Sequence, residues 1–206
     1  MRSLYESLLE ELDVERYKHI PSVDSSVEKA ASLGFSVFFL PEADLLEGMV
    51  VHYDGTVVGY MEFFHTRKRP GLFGRCLAGF TVQASVAVPG KKLGDVLYDI
   101  AAYKYAPLMS DRIQVSALAR KTWKRMVSGT YQKVALDDRR DPKTPQPEDD
   151  CTFQDAEELN WAITRKAPPP GLDKMMQNHR EYMATHKGEL PDWRELGSDL
   201  FNARYF

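Results

Sequence analysis

The chain is poor in cysteine, has no long apolar run and carries no large excess of charge of either sign. Two cysteines in 206 residues, Cys76 and Cys151, cannot build a disulfide framework, and a reducing compartment is the simpler expectation. Neither has a histidine at ligand spacing and no C-x-x-C pair occurs, so no metal site is expected. No stretch approaches the roughly 18 apolar residues needed to cross a bilayer, so no membrane partner is expected. The first residues, Met1 to Glu11, are acidic and amphipathic and lack the apolar heart of a signal peptide, which makes the expected location cytoplasmic. With 27 Lys and Arg against 30 Asp and Glu, the net charge is −3 and no global field favours nucleic acid. Two phosphate-binding signatures are also missing: there is no G-x-x-x-x-G-K-[ST], and Gly90 and Gly94 do not fit a G-x-G-x-x-G frame.

What is present is a 43% hydrophobic composition, enough for one core plus an extension. Leu4, Leu8, Leu9 and Leu12 form a stripe that predicts a helix over 2–17. A second helix is expected from Val27 to Leu33, stopped by Gly34, and Phe35–Leu40 reads as a strand. Met49–Tyr53 and Thr56–Phe64, joined by Asp54-Gly55, form the clearest hairpin, because Asp-Gly suits a two-residue primed turn. Leu77–Val88 is the next long strand. A hairpin followed by strand, turn, helix and strand is a mixed α/β plan.

The densest signal is Ala84-Ser-Val-Ala-Val-Pro-Gly-Lys-Lys-Leu-Gly-Asp-Val-Leu-Tyr98. An apolar strand runs through Val86 and Val88 into Pro89 and a glycine-containing turn. A helix follows, with Leu93, Val96, Leu97 and Ile100 at helical spacing. Such a turn is either an ordinary connection or an anion cradle, since the first N–H groups of a helix have no intrahelical partner. Lys91 and Lys92 add positive charge there. Ser116–Met126 then reads as a basic amphipathic helix with Leu118, Ala119, Trp123 and Met126 on one side, and Tyr131–Leu136 as a strand.

Val86-Ala-Val-Pro-Gly-Lys-Lys-Leu-Gly94, followed by Ala119-Arg-Lys-Thr-Trp123, resembles the core of the GNAT superfamily of N-acetyltransferases over roughly residues 35–137. The pattern of Ser110-Asp111, Ser116, Ala119 and Trp123 is similar to divergent bacteriophage-encoded members. The resemblance implies an α/β (α+β) fold, with a mixed, mainly antiparallel central sheet flanked by helices, and a helical C-terminal extension. The implied domains are 1–137, binding acyl-CoA, and 138–206, a linker and helical extension. It implies transfer of an acetyl group from acetyl-CoA to an amine acceptor, in the host cytoplasm if phage-encoded. The alternative is a non-catalytic protein keeping the fold as an interaction or virion component.

In that family the central strands splay and the pantetheine arm pairs with exposed strand backbone. The resemblance therefore implies backbone contacts from Val86 and Val88, a pyrophosphate cradle at Pro89, Gly90, Lys91, Lys92, Leu93, Gly94 and Asp95, and Ser116 or Trp123 near the thioester. Two departures stand out: Lys92 occupies a glycine place, and Trp123 stands where many members have a tyrosine that protonates the leaving thiolate. An indole N–H is a donor of very low acidity and cannot do that. Candidate catalytic groups are Glu62 and Asp111 as base, with His65 a further possibility, and Ser116 or Tyr131 as donor. Each also has a plain structural reading, Ser116 as a helix N-cap among them.

Two basic features, the loop His65–Gly71 and the run Arg120, Lys121, Lys124 and Arg125, are either solvated surface or contacts to anions. The stretch Asp137–Asp150 carries three prolines and reads as a linker. Beyond it, helices are expected over Phe153–Arg165 and Leu172–His186. Trp161, Trp193, Phe201, Tyr205 and Phe206 are costly to leave in water, so this tail is expected either to pack back on the core or to engage a protein partner or a second copy.

Overall fold

The computed structural model describes residues 17–43, 46–68, 77–112, 115–136 and 157–189. The helix expected over 2–17, the linker 137–150, both cysteines and the aromatic residues from Trp193 onward lie outside the described residues, apart from Tyr17.

The short helix α1 (Val27–Ser32) begins where Ser26 accepts a hydrogen bond from the Lys29 N–H at 3.1 Å, and ends before Gly34, whose φ of +93° suits glycine. Three antiparallel strands follow: β1 (Ser36–Ala43), β2 (Leu46–Tyr53) and β3 (Thr56–His65). Asp54 at φ +47° and Gly55 at φ +76° close the β2–β3 hairpin with two left-handed residues, as the Asp-Gly pair requires. Strand β4 (Phe80–Ala87) pairs antiparallel with β3, then the chain turns into α2 (Leu93–Lys104). A two-residue strand β5 (Leu108–Met109), helix α3 (Ala117–Ser128), strands β6 (Gln132–Ala135) and β7 (Trp161–Thr164), and helix α4 (Leu172–Thr185) complete the described fold.

The seven strands form one sheet in the order β1-β2-β3-β4-β5-β7-β6. Only β4 and β5 are parallel; the sheet is mixed and mainly antiparallel. Helices flank it on both faces. Phe39 and Phe63 meet Tyr105, the residue that ends α2, and Leu97 packs over Gly59. Phe38, which alternation turns to the opposite face, stacks on His179 of α4 at 4.6 Å. Tyr105 is fully buried yet satisfied, its hydroxyl donating to the Gly48 carbonyl at 2.8 Å.

One expected helix is a strand. In the described part of Phe153–Arg165, a 3₁₀ turn covers Glu157–Leu159 and Trp161–Thr164 is β7. Ile163 is paired with Leu108 on one side and Lys133 on the other. The apolar spacing of Phe153, Ala156, Leu159 and Ile163 fits a helix, but β5 offers an open edge, and the Trp-Ala-Ile-Thr segment satisfies it. The sheet therefore continues past position 138, and the tail supplies an internal strand. α4, in turn, covers β1 and α1, with Asn178 Nδ2 donating to the carbonyls of Ala31 and Phe35.

The α4 contact contains a buried histidine pair. His52 on β2 is fully buried, and its Nε2 lies 3.1 Å from Nδ1 of His179. Tyr182 packs edge-on against the His52 ring at 4.8 Å and stacks on His186. Burial, with smaller contributions from His179 and His186, pushes His52 down to about 4; burial and Arg180 lower His179 as well. The unfolded chain therefore takes up these protons first. Their share of stability is whole above about pH 6.5 and is lost as pH falls towards about 4. Denaturant midpoints measured between pH 7.5 and 4 should decline over that window, and His52→Gln, which puts an amide in place of the imidazole and removes the titration, should flatten the slope. A slope unchanged by that substitution would contradict this assignment.

Candidate functional site

The parallel pairing of β4 and β5 is very short. Phe80 faces Leu108 and Thr81 faces Met109, and there it ends. Beyond Thr81, β4 runs on for six residues with no strand beside it on that side among the described residues. The two strands part into a wedge. A small pocket of about 60 Å³ lies in it. Its walls come from Val82–Ser85 of β4, Tyr98 of α2, Ser110 and Asp111 after β5, and Ser116, Ala119 and Trp123 at the start of α3.

Register decides which backbone groups of β4 face the wedge. The Val88 N–H donates to the Val58 carbonyl at 2.9 Å, and Val86 and Ala84 are paired in step with Tyr60 and Glu62 of β3. Since a strand's N–H and C=O groups alternate sides, Val86 and Val88 are turned to β3, and Ser85 and Ala87 to the open side. This corrects the expectation that Val86 and Val88 present their backbone to a ligand; the neighbouring positions do so. The pairing also slips by one residue between Glu62↔Ala84 and Phe63↔Val82, leaving Gln83 as an extra residue in β4. Such a bulge bends its strand and interrupts the ladder, here within the pocket wall.

The wedge leads along β4 to the turn at Pro89–Lys92. Gly90 has φ +73° and Lys92 φ +58°, both left-handed. Lys92 is the N-cap of α2 and gives it no side-chain cap. The first N–H groups of α2 therefore have neither an intrahelical acceptor nor a side-chain cap. A Cβ built on Gly90 or Gly94 would meet nothing within 4 Å among the described residues, so no neighbour crowds either glycine on that side. The turn is braced from behind: Val23 N–H donates to the Lys91 carbonyl at 3.1 Å, and Lys92 Nζ pairs with Asp24 at 3.1 Å. Leu93 is buried and anchors the helix start, while the Asp95 carboxylate pairs with Arg125 of α3.

Asp111, Ser116 and Trp123, named from sequence, share the pocket wall. Ser116 is also the N-cap of α3, its Oγ accepting from the Ala119 N–H at 3.2 Å. Glu62 stands one strand away, half-buried, opposite the pocket residue Ala84. It hydrogen-bonds Tyr60, whose phenol is raised well above its ordinary value by burial first and by Glu62 second. Two other candidates lie elsewhere. Tyr131 donates to Asp99 at 2.7 Å, where Arg165 also binds, and its phenol is raised by burial and that carboxylate. His65 is packed edge-on against Phe80. Sequence reasoning did not single out Ser85, Tyr98 or Ser110 as wall residues. Ser85 and Tyr98 do lie in the quoted strand–turn–helix segment, and Ser110 stands in the pattern with Asp111, Ser116, Ala119 and Trp123.

The basic run is partly spent internally, since Arg120 binds Glu158 through two nitrogens and Arg125 binds Asp95, while Lys121 and Lys124 are exposed. From the loop after β3, Lys68 reaches Glu42 and Glu47 of the β1–β2 pair.

No protein-family model, curated protein or solved structure matches the chain. The mixed sheet flanked by helices is broadly compatible with a GNAT-like architecture.

The left-handed Lys92 yields a test of the turn. A non-glycine residue in this conformation costs about 1 kcal/mol, and its ion pair with Asp24 is largely exposed and contributes little. Lys92→Gly is therefore expected to leave the chain as stable or up to about 1 kcal/mol more stable in denaturant titrations. A loss of comparable size would show that Lys92 is held by something beyond this ion pair.

Proposed function

We propose that the chain binds acetyl-CoA along the open side of β4 and acts as a GNAT-like N-acetyltransferase towards an amine acceptor. The observation that carries this reading is the parting of β4 and β5, which leaves one side of β4 open towards the N-terminus of α2, where the first N–H groups have no intrahelical acceptor. A strand advances about 3.3 Å per residue, so Ala84 to Pro89 spans about 17 Å, a length comparable to an extended pantetheine arm. The outward backbone groups of Ser85 and Ala87 suit the amides of that arm, and the amides of Gly90 to Asp95 suit a diphosphate, supported by the helix dipole and Lys91. The fit is favoured by the absence of side chains on Gly90 and Gly94, which lets a large anion approach the backbone.

Bound there, the cofactor supplies an activated acyl group; this chain's residues must position an amine and take its proton. Asp111 is the carboxylate in the pocket wall and the first candidate for base. Glu62 can serve through water, one strand removed. Amine nitrogen bonds to the carbonyl carbon, the carbon–sulfur bond breaks, the nitrogen's proton passes to the carboxylate, and the sulfur leaves as thiolate.

Isothermal calorimetry with acetyl-CoA tests the binding step, and absence of heat at millimolar cofactor would remove the reading. Gly94→Glu separates site from fold. Gly94 lies in the first turn of α2 with open space around it, where an acidic side chain favours the helix and repels a diphosphate. The variant is expected to be at least as stable as the parent and to bind acetyl-CoA at least tenfold more weakly. Thiol release on a panel of amines then tests turnover. Binding without turnover leaves the alternative of a GNAT-like fold kept as an interaction or virion-associated protein.

A further inference from the structure

Among the described residues, the pocket wall contains a buried side-chain donor that the fold leaves unused. Trp123 is 1% exposed, lines the wedge and has no hydrogen-bond partner for Nε1 among the described residues. A buried indole N–H without an acceptor costs about 1–3 kcal/mol, and such donors are rare in folded proteins. The indole is fixed by packing: Tyr98 meets it edge-on at 6.1 Å, and both rings belong to the central core. It cannot titrate and cannot give up its proton. What remains to it is to donate a hydrogen bond from a fixed position, in surroundings of low dielectric. That is the property required where negative charge develops on a carbonyl oxygen under attack.

We propose that Trp123 Nε1–H donates to the carbonyl oxygen of the bound acyl thioester. This rests on the acetyl-CoA reading and adds the group on the chain that reads the acyl end. Across the wedge β4 offers main-chain groups. Trp123 contributes from the α3 side, next to Ser116 and Asp111. A carbonyl oxygen is the stronger acceptor available at a thioester, since divalent sulfur accepts only weakly. The indole therefore distinguishes acyl-CoA, which brings that oxygen, from free CoA, which does not. As the amine bonds to carbon and electrons shift to oxygen, the hydrogen bond strengthens; when the carbon–sulfur bond breaks it relaxes again. No proton leaves the indole.

The experiment follows the indole N–H resonances of ¹⁵N-labelled protein by NMR, with the Trp123 signal assigned by triple-resonance experiments on the parent protein. The full chain is titrated with CoA and with a carba analogue of acetyl-CoA in which a methylene replaces the sulfur. The expected result is a downfield shift of the Trp123 N–H with the analogue that CoA does not produce. In steady-state kinetics Trp123→Phe should lower kcat about 100-fold while calorimetric affinity for CoA changes less than threefold. Calorimetric binding of the analogue with an unmoved Trp123 resonance, or equal shifts with both ligands, overturns the proposal and leaves the cofactor reading standing. Absence of binding by either ligand overturns both. Because the resonance is read in the parent protein, the test holds even where the variant fails to fold.

Discussion

The arrangement depends on where hydrogen bonding between β4 and β5 stops. Two residue pairs hold them together, Phe80 with Leu108 and Thr81 with Met109. From there β4 keeps its partner on the β3 side and, among the described residues, has none on the other. An interior strand with one unpaired edge carries donors and acceptors that need an external partner. The bulge at Gln83 marks the same region. A longer β5 would zip the sheet shut, and neither the pocket nor the route to the Gly90 turn would exist.

The elements around this opening keep it from collapsing. α2 is anchored by fully buried Leu93, Val96, Leu97 and Ile100. α3 is tied to it by Arg125 and Asp95, and to the 3₁₀ turn by Arg120 and Glu158. Across the back, Asp99 accepts from both Tyr131 and Arg165, joining α2 to the ends of β6 and β7. Exposed ion pairs contribute little singly. The Asp99 set is partly buried and joins three elements, so its larger effect is on where those elements sit. The wedge is thus bounded by two helices whose spacing is set from outside the pocket.

Much of the candidate site was legible because it is local. Pro89, Gly90 and Gly94 announce a turn, and the apolar spacing after Lys92 announces a helix; together they require free N–H groups at that place. Ser116 as an N-cap and Asp54-Gly55 as a primed turn are equally local facts. The strand parity was not legible. Whether Val86 or Ala87 turns its backbone outward depends on the register with β3, which no feature of 84–88 alone reveals, and the sequence reading fell on the wrong alternate residues. The pocket contribution of Tyr98 and Ser110 has the same origin, since it arises only once α2 and β5 stand beside β4.

The amino-acid order by itself determined the elements: the hairpin, the strand–turn–helix with its uncapped N-terminus, the basic helix, and a composition able to bury one core. These are short-range outcomes of backbone sterics, capping and hydrophobic spacing. Tertiary structure alone decided that Trp161–Thr164 is a strand between β5 and β6, that β5 ends after two residues, and that Trp123 is buried with its donor unused. Each of these depends on partners far along the chain. An open sheet edge can override a helical pattern, and a hydrogen bond is missing only when every neighbour is known.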